Sequence, residues 1–307
     1  MIGTVIKSTG SWYKLLDEDG KRWDARIRGK IRLQEADTSN PVAVGDRVHF
    51  LPDPQFPDTC SITAIEDRRN WVIRKSNKLS SRRQIIATNI DLAVMVASVA
   101  APRTSTGFID RFLVCCEAFH IPALLFFNKT DLLPEAGLEL LHHLNGIYTN
   151  AGYEVMNGVA SEGTGVEALK SKIYGKTVLF AGHSGVGKST LLNAMFPLAA
   201  ARVGKISASH EKGTHTTTFA EMHVFEGHTG IIDTPGIRDF GLVDIEPKES
   251  GQYFPEFRPF LPACRFNDCT HTNEPDCALQ AAVRAGKVPE ERFYSYLSIL
   301  QGDDVFS

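Results

Sequence analysis

Gly182-His183-Ser184-Gly185-Val186-Gly187-Lys188-Ser189 stands between a β-rich apolar run, Thr177–Ala181, and a helical pattern carried by Leu191, Leu192 and Met195. It fits G-x-x-x-x-G-K-[ST] at every position, in the strand–loop–helix setting that gives the motif its meaning. Glycines let the backbone curl until its N–H groups point at a phosphate, and the following helix N-terminus adds partial positive charge. Lys188 can reach the β- and γ-phosphates, the Ser189 hydroxyl can ligate Mg²⁺, and Thr190 opens the helix beside them. Gly182 to Thr190 are therefore all candidate nucleotide contacts, with Lys188 also a candidate catalytic residue.

A phosphate loop does not choose its base. Asn128-Lys129-Thr130-Asp131 does, and it follows the apolar strand Ala123–Phe127. Ligands of such sheets bind at the carboxyl ends of strands. Guanine presents an N1–H and a 2-amino donor, and the two oxygens of Asp131 can accept both. Adenine would leave a buried Asp131 unpaired, which is costly. Asn128 can bond the opposite edge of the base, the Lys129 stem can cover it, and Ala160-Ser161 with Gly163 suits the remaining base-contacting loop. Asp233-Thr234-Pro235-Gly236 supplies a D-x-x-G element, with Asp233 near Mg²⁺ and the Gly236 amide at the γ-phosphate. Gly213-Thr214-His215-Thr216-Thr217-Thr218 is a first-switch candidate, with Thr217 the chosen Mg²⁺ ligand.

In the common arrangement the phosphate loop comes first and N-K-x-D near the end. Here the elements run fourth, fifth, first, second, third, which is a circular permutation. Alternating strands and helices surround them. Strands are expected at 91–99, 123–127, 153–156, 177–181, 219–225 and 230–232, and helices at 108–119, 138–148, 165–173 and 188–196. Such alternation makes a doubly wound parallel sheet. Phe108, Ile109, Phe112, Leu113, Cys116 and Phe119 carry the first helix at helical spacing, so Cys115 and Cys116 read as core.

The N-terminal segment reads as β. Short runs at 3–6, 12–16, 23–27, 47–51 and 62–65 are split by turns at 17–21 and 44–47. Five short strands suit a small barrel of OB type, either an oligonucleotide binder or a plain packing module. From Arg68 to Arg83 stand seven Lys or Arg and no Asp or Glu. That run is either a solvated linker or a phosphate contact, with Trp71 as a stacking surface. The expected division is multidomain: 1–70 barrel, 71–242 permuted GTPase domain, 243–307 mostly helical metal-binding domain, with a helix at 293–300.

The tail holds Cys264-x4-Cys269-x-His271-x5-Cys277. Three thiolates and an imidazole make a full tetrahedral set for one structural Zn²⁺, with no open position for catalysis. Buried small hydrophobes are the other reading of these cysteines. The metal is expected to fold a tail too short for its own core.

Composition sets the remaining bounds. The 307 residues are 43% hydrophobic and 22% charged, with a net charge of −3, so no global basic field advertises nucleic acid. DNA is not an expected partner, and an RNA partner must be met by a local patch. No signal peptide, membrane span or heptad run is evident, so a cytoplasmic protein, monomeric when free and with reduced cysteines, is expected.

Together the permuted order, Gly10-Ser11-Trp12-Tyr13 and Asn40-Pro41-Val42-Ala43-Val44-Gly45-Asp46 in the barrel, and Cys264–His271 in the tail carry a likeness. The chain resembles the circularly permuted, ribosome-small-subunit-dependent GTPases of ribosome biogenesis over nearly its whole length. That resemblance implies a role in late maturation of the small subunit and its rRNA, with GTP hydrolysis to GDP stimulated by the subunit. One departure is Thr214, where a basic residue is expected before the switch histidine.

Ile237 stands where many GTPases place a water-orienting Gln, so slow intrinsic turnover is expected. His215 is the leading substitute, since a neutral imidazole can accept a hydrogen bond from water; a solvent-facing loop residue is its other reading. Because the chain passes from Gly236 into the tail within a few residues, loss of the γ-phosphate is expected to move the tail. A GTP-regulated RNA-binding module with little catalysis, and a P-loop ATPase or kinase, are the competing readings.

Overall fold

The computed structural model describes residues 1–28, 41–75, 83–197, 220–233 and 245–302. His215, Thr217, Gly236 and Ile237 lie outside them, as does the side chain of Asp233.

The N-terminal strands are β1 (Ile2–Ser8), β2 (Tyr13–Asp17), β3 (Arg22–Ile27), β4 (Arg47–Pro52) and β5 (Thr59–Ile65). β1 pairs with β2 and β4, β2 with β3, and β5 with both β3 and β4, closing a five-stranded barrel. Burial alternates along β2 to β4, as period-2 side chains require. Val5, Leu15, Ala25, Val48, Phe50 and Ile62 fill the inside with Tyr13 and Trp23. The first turn is held by Asp17, whose carboxylate accepts from Asp19 N, Lys21 N and Trp23 Nε1 at 3.1, 2.8 and 2.8 Å. The second turns at Gly45, with φ +94° and its would-be Cβ 2.1 Å from the Thr88 carbonyl oxygen, so only glycine fits.

The basic junction is not an irregular linker. β6 (Trp71–Lys75) and β7 (Arg83–Thr88) form an antiparallel ribbon, with Val72, Ile73, Ile85 and Ala87 buried. Arg68 forks onto buried Asp46 at 2.8 Å through both Nε and Nη2, and Thr88 donates to the same carboxylate. Arg69 pairs with Asp91 at 2.8 Å. Two of the seven cations are thus committed within the chain, and Trp71 is half-buried rather than an open stacking surface.

The α/β part comprises β8 (Leu92–Ala97), α1 (Thr106–Ala118), β9 (Ala123–Phe127), α2 (Glu135–Asn150), β10 (Glu154–Asn157), α3 (Val166–Ile173), β11 (Thr177–Ala181), α4 (Lys188–Met195), β12 (Glu221–Val224) and β13 (Gly230–Asp233). β8, β9 and β11 are buried almost throughout, as strands covered on both faces must be. β9 pairs in parallel with β10, and β11 with β13. β12 runs antiparallel to β13 and also pairs with β1 of the barrel. Two short helices close the described chain, α5 (Ala278–Arg284) and α6 (Glu290–Gln301).

Contacts group the chain into two compact units. One holds 1–93, 170–181 and 195–243; the other holds 94–169, 182–194 and 244–307. The phosphate loop, the base tetrad and the Cys/His tail all fall in the second. Among the described residues no helix is long and apolar enough to cross a membrane.

Candidate nucleotide and metal sites

Ala181 ends β11 and the loop begins at once. Gly182, Gly185 and Gly187 have φ of 143°, 82° and 99°, values that side-chain-bearing residues rarely adopt. Two of them are also forced by space. A Cβ on Gly182 would sit 2.2 Å from the Val96 carbonyl oxygen, and one on Gly187 would sit 2.2 Å from Asn128 Nδ2. Val186 is buried, while Ser184 and Gly185 face outward. Lys188 folds back so that Nζ donates to the carbonyls of Gly182 and His183 at 2.6 and 2.9 Å. The ammonium therefore sits in the mouth of the loop. Ser189 is half-buried and Thr190 exposed at the start of α4.

The tetrad and the loop are brought together by one side chain. Asn128 is 3% exposed. Its Nδ2 donates to the Val186 carbonyl at 2.8 Å, and its Oδ1 accepts from the Ala160 amide at 2.9 Å. Phosphate loop, N-K-x-D and Ala160-Ser161 loop are thus fastened at a single point. Lys129 takes a left-handed backbone (φ 62°) and donates through Nζ to the Ala101 carbonyl at 2.8 Å. Asp131 and Ser161 are exposed beside it, both open to a ligand. Asp233 ends β13, its backbone in register with Phe180 of β11.

His183 has a partner that the sequence did not suggest. Its ring stacks on Phe108, at the start of α1, with centroids 3.9 Å apart and planes at 29°. Helical periodicity marked Phe108 only as core.

In the tail, one donor atom each from Cys264, Cys269, His271 and Cys277 lies within 4.8 Å of every other. His271 Nδ1 is 3.6 Å from Cys264 Sγ and 3.4 Å from Cys277 Sγ. Bonds of about 2.0–2.3 Å to a tetrahedral ion place neighbouring donors roughly 3.5–3.8 Å apart, so the set fits one such ion. Burial pushes the Cys269 thiol up to about 12, raises Cys277 and lowers His271. A neutral imidazole is what a metal needs, and a divalent cation supplies the charge that holds buried thiolates. Glu274 clamps the intervening loop. One of its oxygens accepts from Thr270 N and Oγ1 at 2.7 and 2.6 Å, and the other from Thr272 N at 2.8 Å. Gln280 holds the His271 and Thr272 carbonyls, and Tyr296 that of Thr270.

A family model described as the RsgA GTPase matches residues 65–243, and one described as the RsgA N-terminal domain matches residues 2–55. This chain belongs to the RsgA GTPase family. As a member it is a GTP-hydrolysing enzyme, and the family implies Mg²⁺ with the nucleotide. A Bacteroides thetaiotaomicron relative, small ribosomal subunit biogenesis GTPase RsgA 2, is 47% identical over 98% of this chain and 96% of its own. The Flavobacterium johnsoniae RsgA is 46% identical over 99% and 94%. Two solved structures align with 98% of this chain. YjeQ from Thermotoga maritima does so over 97% of its own length at 32% identity and TM-score 0.79. YloQ, described as a circularly permuted GTPase, does so over 94% at 28% identity and TM-score 0.74. The permuted order inferred from the motifs agrees with the description of YloQ as a circularly permuted GTPase.

Proposed function

We propose that this chain binds the small ribosomal subunit and assists its late maturation, and that the subunit stimulates its GTP hydrolysis. GTP lies on Gly182–Thr190, its base read by Asn128, Lys129, Asp131 and Ser161. The observation that carries the reading is Asn128, which bonds both Val186 and Ala160 and so builds base site and phosphate site as one. The relatives' shared name supports the ribosomal role.

Catalysis in such a site is chiefly positioning and charge neutralisation. Lys188 Nζ is held at the loop by the Gly182 and His183 carbonyls, and its ammonium would neutralise charge on the β- and γ-phosphates. Ser189, Thr217 and Asp233 are the residues assigned to Mg²⁺, which supplies charge neutralisation between the phosphates when bound. Gly236 is assigned to the γ-phosphate and His215 to the attacking water. A His215→Ala enzyme with unchanged GTP affinity and undiminished stimulated turnover would reject that last role.

Cys264, Cys269, His271 and Cys277 are assigned to one structural Zn²⁺. The barrel is assigned to rRNA. Trp12 is 43% exposed, and the Arg26 guanidinium lies 3.5 Å over its ring. Trp12, Lys7 and Lys14 line a hollow of 390 Å³, the lysines partly neutralised by Glu221 and Asp24. Exposed aromatic faces beside cations suit stacked, unpaired bases. Domain boundaries are placed at 70 and 242, and the free protein is taken as a cytoplasmic monomer.

Competition binding tests the nucleotide assignment. GTP and GDP should displace a labelled guanine nucleotide and ATP should not. Asp131→Asn should shift preference toward xanthosine triphosphate, whose 2-oxo group accepts where guanine donates. ATP competing as well as GTP would reject the base assignment.

A further inference from the structure

The phosphate loop is built against α1, and α1 is locked to the tail. Asp110 is wholly buried on α1, and Arg292 of α6 is 1% exposed. Arg292 Nη1 donates to Asp110 Oδ1 at 2.6 Å, while its Nε and Nη2 donate to the two oxygens of Glu256 at 2.5 and 3.2 Å. Tyr148 of α2 donates to the same Asp110 oxygen at 2.9 Å. Burial works against both charges: it raises the Asp110 carboxyl in spite of the donors around it, while the two carboxylates hold Arg292 well above the ordinary guanidinium value. The link rests on its geometry, a fork of short, directional bonds set where solvent screens little.

Phe108 stands two residues before Asp110. At 100° per residue the two point roughly 200° apart around the helix. One side of α1 meets the tail through Arg292, and the opposite side meets His183 of the phosphate loop. The helix has little room to yield between them. Nine of its thirteen residues are buried, and the Ser105 hydroxyl caps its start by accepting from the Phe108 amide at 3.3 Å. The preceding loop touches the same site: the Ala101 carbonyl holds Lys129, and Pro102 lies 3.5 Å from the Cβ position of Gly185.

We propose that Phe108 is a positioning residue for the phosphate loop, and that Arg292 communicates the seating of the tail to it through Asp110 and α1. Ring-on-ring contact sets where the His183 backbone lies, and with it the carbonyl to which Lys188 Nζ donates. A partner that shifts α6 alters nucleotide affinity along this route, independently of the chain connection through Gly236. The inference rests on the nucleotide reading of Gly182–Ser189.

The test is a double-mutant cycle on the full-length protein. Phe108→Leu keeps apolar bulk and loses the flat face; Arg292→Lys keeps charge and loses the fork. Phe108→Leu should weaken GDP and GTP binding and raise KM for GTP at least fivefold, with kcat and bound metal unchanged. Phe108→Tyr should restore both. Arg292→Lys should weaken nucleotide binding severalfold in the wild-type background and have no further effect beside Phe108→Leu. Hydrogen exchange at amides 183–187 should speed up in each single variant, a local readout available even where one variant is less stable. Unchanged KM in a folded Phe108→Leu protein would overturn the positioning role, and strictly multiplicative effects would overturn the route from Arg292. Failure of wild type to bind GTP would instead reject the nucleotide reading itself.

Discussion

Replacing Arg292 by Met should be among the most damaging single changes outside the nucleotide loop. Met keeps much of the apolar stem and removes the guanidinium. Asp110 is then left wholly buried with the Tyr148 and Ser295 hydroxyls as its remaining donors, and Glu256, 8% exposed, loses both its bonds from Arg292. Breaking a buried pair from one side typically costs about 3–5 kcal/mol, because the charge left behind is uncompensated. Here Glu256 can turn toward water and Tyr148 stays in place, so the low end applies, about 3 kcal/mol. At roughly 2–4 °C per kcal/mol for a body of this size, Tm should fall by roughly 6–12 °C. Removing the stranded charge as well should help: Arg292→Met with Asp110→Asn should recover at least half of the loss. Urea and thermal unfolding of the three proteins would measure it. A loss under about 1 kcal/mol for Arg292→Met, or a double variant no more stable than the single, would refute the reasoning.

Three further outcomes are expected. A chelator should release one equivalent of metal and expose the amides of 264–277 to exchange, since buried thiols lose the charge that held them; tail exchange unchanged after complete metal removal would contradict the assignment. Asp17 has its pKa held below the usual carboxylate value: burial opposes this, but the hydrogen bonds from Trp23, Lys21 and Asp19 outweigh it. Its stabilising effect is thus present above the unfolded pKa near 4 and is lost as pH falls through the lower folded value. Wild type should therefore approach Asp17→Asn in barrel stability below about pH 4, and a gap independent of pH would count against it. Gly182→Ala should abolish nucleotide binding without unfolding the barrel, because its Cβ meets a backbone oxygen that cannot retreat; near-normal binding would show that the loop relaxes.

Much of the site was legible because its chemistry is contiguous. Gly182–Ser189, Asn128–Asp131 and the tail cysteines each carry their meaning in a few adjacent residues. Strands 123–127 and 177–181 fall where the apolar runs placed them, since a strand buried on both faces leaves no ambiguity. The ribbon of β6 and β7 was hidden because its cations mask a short apolar pattern, which only the pairing across it reveals. Seven-residue α5 is too short to show a period. Arg292 lies just before the helix expected at 293–300 and carried no reading of its own, since nothing local could point to an aspartate 182 positions away. Phe108 likewise fitted the core pattern so well that its contact with the phosphate loop was invisible.

The most direct test of the account is turnover of GTP and of ATP by the purified protein, with and without small ribosomal subunits. The account predicts slow GTP hydrolysis alone, strong stimulation by the subunit, and negligible ATP hydrolysis in either condition. GTP turnover that the subunit leaves unchanged would contradict the ribosomal role, and comparable ATP turnover would contradict the base reading by Asp131.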